Sequence, residues 1–146
     1  MTSSGSEVEA MLKKQEILDY VPPAGRLLGR EVVAIDEERG IVTMRYTARP
    51  EFMNRHGSVQ GGLLAAMLDS STSLALYAVL PAELTAVTTN LNVSYLKPGK
   101  VGTFTVIARV VSRDERHGLS AGELRDADGV LVATAVATLR IVGRKE

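Results

Sequence analysis

The sequence predicts an α+β fold in which a curled antiparallel sheet wraps around one long buried helix, and three observations support this prediction. Residues 61–80 are mostly apolar, which is typical of a helix that is buried on every side. Shorter segments before and after it alternate apolar and polar residues with the period of two that marks strands with one buried face. No helical pattern separates the later strands, so the parallel βαβ units that require crossover helices are not expected.

A short helix is predicted ahead of this core. Residues 6–9 read Ser-Glu-Val-Glu, the form of a capping box, and apolar residues follow at helical spacing. The helix is predicted from about Glu7 to Asp19 and ends before Pro22 and Pro23, since proline breaks a helix interior. Residues 1–21 are therefore assigned to an N-terminal helical segment and residues 22–146 to a single domain, with no repeat or linker between them.

Two strands are predicted before the long helix and four after it. Val42, Met44 and Tyr46 alternate with polar residues, as expected for a strand with one inner face. Pro81 is expected to end the long helix, and the four later strands are predicted to form a meander. The predicted strands are 31–36, 41–47, 86–96, 103–112, 117–125 and 130–142.

Composition argues against several classes of function. Seventeen Lys and Arg balance seventeen Asp and Glu, so no net positive field is available to hold nucleic acid or an anionic membrane. The absence of cysteine removes disulfides, thiol nucleophiles and thiolate metal sites, and His56 and His117 lack metal-ligand spacing. No apolar run could span a membrane and the first residues do not resemble a signal peptide, so we expect a cytoplasmic protein without a metal.

The first candidate functional feature is Gln60-Gly61-Gly62, at the predicted start of the long helix. Amides at a helix start lack internal partners and lie at the positive end of the helix dipole. Glycine allows another group to approach the backbone closely, so these amides could bind an anion or a developing oxyanion. The alternative is that the glycines only permit a tight turn from loop to helix.

The second candidate is Asp69, the only charged residue between Arg55 and Glu83. A carboxylate in an apolar helix is costly to bury and tends to be paired, protonated or functional. Asp69 follows Gly61 by eight residues, just over two helical turns, so the two lie on roughly the same side. The alternative is that Asp69 is a structural hydrogen-bond partner for a loop.

The third candidate is the run of small hydroxyl residues at 70–73, directly after this aspartate. Ser73 lies one turn after Asp69, so its hydroxyl could orient the carboxylate or a water molecule. The alternative is that small residues let the sheet pack closely on the helix, which would account for at least two of the four.

These residues together resemble a known family. The segment 54–62, Asn-Arg-His-Gly-Ser-Val-Gln-Gly-Gly, followed by Asp69, resembles the signature of the PaaI-like hotdog thioesterases. That family has an Asn, a Gly-containing loop, His-Gly-Gly and an acidic residue seven positions after the second Gly. A second block, 87–98, is similar to the family strand that often ends in Tyr-x-x-Pro. The resemblance covers about residues 22–142.

The resemblance implies a hotdog fold and hydrolysis of acyl-CoA thioesters, with coenzyme A as part of the substrate and no separate cofactor. It further implies a site formed between subunits, and therefore a homodimer or a tetramer built as a dimer of dimers. Asp69 would be the general base or nucleophile and the Gly61 amide would polarise the thioester carbonyl. The residues with implied supporting catalytic roles are Asn54, Ser73 and Thr88. The expected substrate-binding residues are His56, Gln60 and Gly62 in the loop, and Arg113 and Arg116 in a polar turn suited to the CoA phosphates.

Gln60 departs from the family pattern, which has histidine at this position. Glutamine cannot become cationic near neutral pH, so we hypothesise that its side chain instead holds the loop before Gly61 by hydrogen bonds. Two other readings therefore stay open: a non-catalytic module that binds acyl-CoA or acyl carrier protein, and a hotdog dehydratase or hydratase, ranked last because its histidine is missing. The acyl group is also open between an aryl group and a short to medium alkyl chain.

Overall fold

The strands form an antiparallel sheet that curls around the longest helix. The computed structural model describes residues 5–144, and the ends of the two predicted segments, 1–4 and 145–146, lie outside the described residues. The elements are α1 (Gly5–Asp19), α2 (Pro23–Leu27), β1 (Glu31–Asp36), β2 (Ile41–Ala48), a 3₁₀ turn (Pro50–Phe52), α3 (Gly61–Tyr77), β3 (Leu84–Tyr95), β4 (Gly102–Arg113), β5 (His117–Arg125) and β6 (Leu131–Gly143).

The order of strands in the sheet corrects the predicted four-strand meander. The order is β1-β2-β4-β5-β6-β3, with neighbouring strands antiparallel. Only β4, β5 and β6 form a meander, because β2 already pairs with the free side of β4. After α3 the chain therefore continues into β3 at the edge of the sheet opposite to β1, where β3 pairs along its whole length with β6. The prediction of an α+β fold with a sheet around a helix is confirmed.

The core lies between α3 and the concave face of the sheet. The helix packs against β2, β3, β4, β5 and β6. Met67 and Leu68 of the helix and Tyr46 and Phe104 of the sheet are fully buried, and each such side chain contributes about 1.5–3 kcal/mol on removal from water. Gly118 on β5 allows this close packing, because a Cβ atom there would lie 2.5 Å from a methyl carbon of the buried Leu76, which would have to move.

The long helix is shorter than predicted, ending at Tyr77 rather than near Leu80. The amides of Val79 and Leu80 bond to carbonyls three residues earlier, in a tighter 3₁₀-like turn. Pro81 disfavours the helical conformation for the residue before it, so the chain leaves the helix here. None of the helices within 5–144 is long and apolar enough to cross a bilayer.

One stripe of α3 is not covered by the sheet, which corrects the expectation of burial on every side. Its exposed or half-buried members are Gly62, Ala65, Ala66, Asp69, Ser70 and Ser73. The stripe is open because β1 and β3, the two edges of the sheet, do not meet around the helix. We call these six residues the open stripe, and it carries the only acidic residue of the helix.

The N-terminal helix α1 covers the last turn of α3. Ile17 is buried, and the Nζ atom of Lys13 lies 3.8 Å from the ring centre of Tyr77. The Tyr77 hydroxyl donates a 2.7 Å hydrogen bond to Glu16, which also accepts from Arg144. The short helix α2 was not predicted; it begins at Pro23, because a proline suits the first helical position, where no amide bond is needed.

Candidate active site

The loop before α3 is shaped by the side chain of Asn54. Its Oδ1 atom accepts hydrogen bonds from the amides of His56 (2.9 Å) and Ser58 (3.3 Å), and its Nδ2 donates to the Ser58 hydroxyl (3.1 Å). Asparagine favours such turns because its side chain can satisfy amides two or more residues ahead. Gly57 completes the turn with φ of +80°, a conformation that L side chains rarely adopt. His56 is exposed at the tip of this loop.

Main-chain hydrogen bonds tie the same loop to the core. The Val59 amide donates to the Gly99 carbonyl (2.7 Å), and the Gln60 amide donates to the Phe52 carbonyl (2.8 Å). The side chain of Gln60 is exposed and forms no capping hydrogen bond. The hypothesis that this side chain holds the loop is therefore wrong for the chain by itself, because Asn54 and the main chain already provide the bonds it was expected to make.

Two amides at the start of α3 have no acceptor among the described residues. Leu63 and Leu64 donate to the Gln60 carbonyl, whereas the amides of Gly61 and Gly62 have no such partner. This matches the helix geometry, in which the first amides lack intrahelical acceptors. In front of Gly61 lies a depression of about 330 Å³ that is also lined by Asn54 and Tyr95. The Tyr95 hydroxyl donates to the Gly61 carbonyl (2.7 Å) and does not bond the Gly61 amide.

Asp69 lies half-buried in the middle of the open stripe, where β3 passes beside α3. Its Oδ1 atom accepts a 2.7 Å hydrogen bond from the hydroxyl of Thr88 on β3. Its other carboxylate oxygen has no hydrogen-bond partner among residues 5–144, so that oxygen can accept a proton from a water molecule. The structure thus brings Thr88 and Asp69 together, and the Thr88 hydroxyl fixes the orientation of the carboxylate.

The hydroxyls that follow Asp69 act mainly on the helix itself. Ser73 donates to the main-chain carbonyls of Asp69 (2.8 Å) and Ser70 (3.2 Å), so it does not orient the carboxylate as the sequence suggested. Helical serines commonly bond the carbonyl four residues earlier. Ser71 and Thr72 are buried and bond in the same way, which fits the alternative that small residues permit close packing of the sheet.

Sequence reasoning missed a polar contact on the other side of the stripe. The Nη1 atom of Arg30 donates to the hydroxyl of Ser70 (3.3 Å), the residue directly after Asp69. Nearby, the buried hydroxyl of Tyr46 lies 2.7 Å from that of Ser71. The only signal for Arg30 was its place between Leu27-Leu28-Gly29 and Glu31 at the start of a strand, which gives no indication of a contact forty residues away.

Arg113 and Arg116 lie far from the start of α3 in the same chain. They flank the β4–β5 turn, where Asp114 accepts the amides of Arg116 and His117 (2.8 Å each). Arg113 lines a depression together with Leu80 and Pro81, just beyond the opposite end of α3. The structure therefore does not bring these arginines together with Gly61 within one chain.

The candidate groups on α3 are also separated along the helix. Gly61 and Asp69 are eight residues apart, about 12 Å along the axis at 1.5 Å per residue. One thioester carbonyl cannot receive a hydrogen bond from the Gly61 amide and lie beside the Asp69 carboxylate of the same chain. A complete site from these two groups requires a second copy of the helix.

Comparison with known proteins gives consistent results. A family model described as the thioesterase superfamily matches residues 56–133, more than half of the chain. The acyl-coenzyme A thioesterase PaaI of Escherichia coli is 32% identical over 95 residues, covering 64% of each chain. A crystal structure of a phenylacetic acid degradation-related protein from Ralstonia eutropha JMP134 is 38% identical with a TM-score of 0.83, and the alignment covers 86% of this chain and 97% of that one. The structure of Escherichia coli PaaI, 22% identical over 92% of this chain and 94% of that one, has a TM-score of 0.81 and shows a common fold.

Proposed function

Because the chain belongs to the thioesterase superfamily, as a PaaI-like protein with the hotdog fold, we propose that it hydrolyses acyl-CoA thioesters to a free acid and CoA. The observation that carries this proposal is the Thr88–Asp69 hydrogen bond, which holds a carboxylate in an open stripe of an otherwise apolar helix. No cofactor is required, because a carboxylate and an oxyanion donor are sufficient for an activated ester.

In the proposed reaction, Asp69 takes a proton from a water molecule whose oxygen attacks the thioester carbonyl carbon. The Gly61 amide stabilises the negative charge that develops on the carbonyl oxygen. The C–S bond then breaks, and the acid that leaves contains the oxygen of the water molecule. The CoA sulfur takes up the proton that Asp69 removed from this water. If Asp69 instead attacks as a nucleophile, an acyl-carboxylate anhydride forms first and water cleaves it; the groups involved are the same.

The separation of Gly61 and Asp69 supports a site shared between two copies. If two α3 helices pack antiparallel about a two-fold axis, the start of one lies beside the middle of the other. The open stripe and the free edge of β3 are surfaces that such pairing would cover, and β3 exposes Val87 and Tyr95. We therefore propose a homodimer, or a tetramer made of two such dimers.

The same arrangement gives the two arginines a role. In an antiparallel pair, the last turn of one α3 faces the loop that precedes the other. Arg113 and Arg116 of one copy would then lie toward His56 in the loop of the second copy, where a CoA tail would leave the site. Their positive charge suits the CoA phosphates.

Release of free CoA from a panel of acyl-CoA esters tests the function directly. We expect the wild-type protein to release CoA with multiple turnovers, and Gln60→Ala and Gln60→His to fold normally, because the Gln60 side chain forms no capping bond. The alternative is a binding module for acyl-CoA or acyl carrier protein, favoured by the missing histidine. A wild-type protein that binds acyl-CoA without turnover, and that gains hydrolysis on Gln60→His, would establish the module instead.

Thr88→Val is expected to lower kcat about tenfold, since the carboxylate loses the donor that orients it and misplaced catalytic groups lose rate steeply. Thr88→Ser retains the hydroxyl and is expected to keep most of the activity. Thr89→Val, on the exposed side of the same strand, is the matched control. Equal rates for Thr88→Val and wild type in a steady-state assay would show that the bond to Asp69 has no catalytic role.

A further inference from the structure

Another pocket lies beside the second half of α3, away from the depression at Gly61. It has a volume of about 320 Å³, which is within the usual range for small-molecule sites. Its walls come from α1, from the segment before β1, from the second half of α3 and from the start of β3. Leu74 and Ile17 provide an apolar lining, Tyr20 and Tyr77 provide aromatic surface, and Arg30 provides a charge.

Two elements, α3 and β3, connect this pocket with Asp69. On α3, Leu74 and Tyr77 follow Asp69 by five and eight residues, about 7–12 Å along the helix axis. On β3, Thr85 lines the pocket and Thr88 bonds the carboxylate. Arg30 lies between the pocket and Asp69, because it lines the pocket and also donates to Ser70, the residue after Asp69. An acyl group whose carbonyl lies at Asp69 therefore needs a chain of several carbons to enter the pocket.

The charge of the pocket is not balanced by its own residues. Glu16 accepts a 2.7 Å hydrogen bond from Arg144, and this bond with Arg144 holds the pKa of Glu16 below its usual value, so the pair is neutral overall. Burial raises the pKa of Tyr77 to about 12, so that phenol carries no charge. Arg30 forms no ion pair with any carboxylate of residues 5–144. Its buried Nε atom also has no hydrogen-bond partner there.

We propose that this pocket receives the distal part of the acyl group and that Arg30 binds a carboxylate at its end, so the preferred substrates are CoA thioesters of dicarboxylic acids. A planar guanidinium matches a carboxylate with two parallel hydrogen bonds. Very short dicarboxylic acyl groups are disfavoured, because their free carboxylate would remain beside Asp69 and be repelled by it. Arg30 is thus a specificity-determining residue, and this assignment rests on the proposed function.

The test compares adipyl-CoA with hexanoyl-CoA, which have the same chain length and differ in the terminal carboxylate. We expect wild type to have a kcat/KM at least about tenfold higher for adipyl-CoA, as for a pocket built to bind a specific polar group. Arg30→Met should remove this preference by lowering the adipyl-CoA value about tenfold or more, with hexanoyl-CoA changed less than about threefold. Arg30→Lys should keep part of the preference. Arg26→Met, an exposed arginine on α2, is the matched control.

A binding measurement separates this inference from the proposed function. The non-hydrolysable thioethers S-(5-carboxypentyl)-CoA and S-hexyl-CoA are titrated into wild type and the Arg30 variants by calorimetry. Tighter binding of the carboxylated compound, lost in Arg30→Met, supports the pocket assignment even if no thioester is hydrolysed, in which case only the proposed function fails. Equal affinities, or a wild type that hydrolyses hexanoyl-CoA as fast as adipyl-CoA, overturn the assignment and leave hydrolysis in place. An equal loss of both substrates in Arg30→Met and Arg30→Lys also overturns it, since that is the result of a purely structural contact.

Discussion

Asp69→Asn is expected to lower the turnover of acyl-CoA about a hundredfold or more, the effect of removing a general base. The substituted side chain has nearly the same shape, and its amide oxygen can still accept the hydrogen bond from Thr88, so the helix and β3 keep their contact. The substitution removes the second carboxylate oxygen, which has no hydrogen-bond partner among the described residues and would act as the base. The measurement is kcat for free-CoA release, with thermal unfolding of both proteins to show that the fold is retained.

Asp128→Asn is the matched control for this change. Asp128 is exposed in the β5–β6 turn, so the same loss of charge there should leave kcat unaltered. If Asp69→Asn retained wild-type turnover, the catalytic carboxylate would have to be another residue, and the Thr88 contact would be purely structural.

Gly61→Pro is expected to lower kcat by about a hundredfold as well, because proline removes the amide that would stabilise the oxyanion. The helix should tolerate this change. Proline is favoured at the first helical position, and Gln60 already has ψ of 129°, the extended conformation that a following proline requires. The assay is again CoA release at saturating substrate.

The control is Gly61→Ala, which adds a carbon atom but keeps the amide. A Cβ atom at this position would lie 3.2 Å from the ring of Tyr95, whose side chain is half exposed and can move aside. We expect Gly61→Ala to lose much less activity than Gly61→Pro. Equal losses in both variants would mean that the contact with Tyr95, and not the amide, accounts for the effect.

The parts of the fold that could be predicted were those determined by local pattern. The alternation of apolar residues located all six strands, and the apolar run located α3. The position of β3 beside β6 could not be read in this way, because pairing between distant strands depends on how the sheet closes around the helix. The end of α3 at Tyr77 also depended on a change in hydrogen bonding that apolar residues do not reveal.

In the candidate site, too, the residues marked by local pattern were predictable and those placed by long-range contacts were not. Asp69 was recognisable because a lone carboxylate in an apolar helix has few structural explanations, and the resemblance to a family pointed to Thr88. The role suggested for Ser73 rested on helical spacing alone, whereas its hydroxyl is taken up by main-chain carbonyls. The role suggested for Gln60 rested on the family pattern, whereas Asn54 and the main chain already hold the loop. Arg30 was missed, because its contact with Ser70 joins residues from two separate elements that no sequence period relates.

The central claim is that Asp69 of one copy and the Gly61 amide of another form one active site. Mixing inactive Asp69→Asn and Gly61→Pro proteins, after dissociation and reassembly, tests it most directly. Each mixed dimer would contain one site with both groups intact, so an equal mixture should recover about a quarter of the wild-type sites, as random pairing of a two-fold dimer requires. A mixture that reassembles into mixed dimers but stays as inactive as its two components would contradict the shared site.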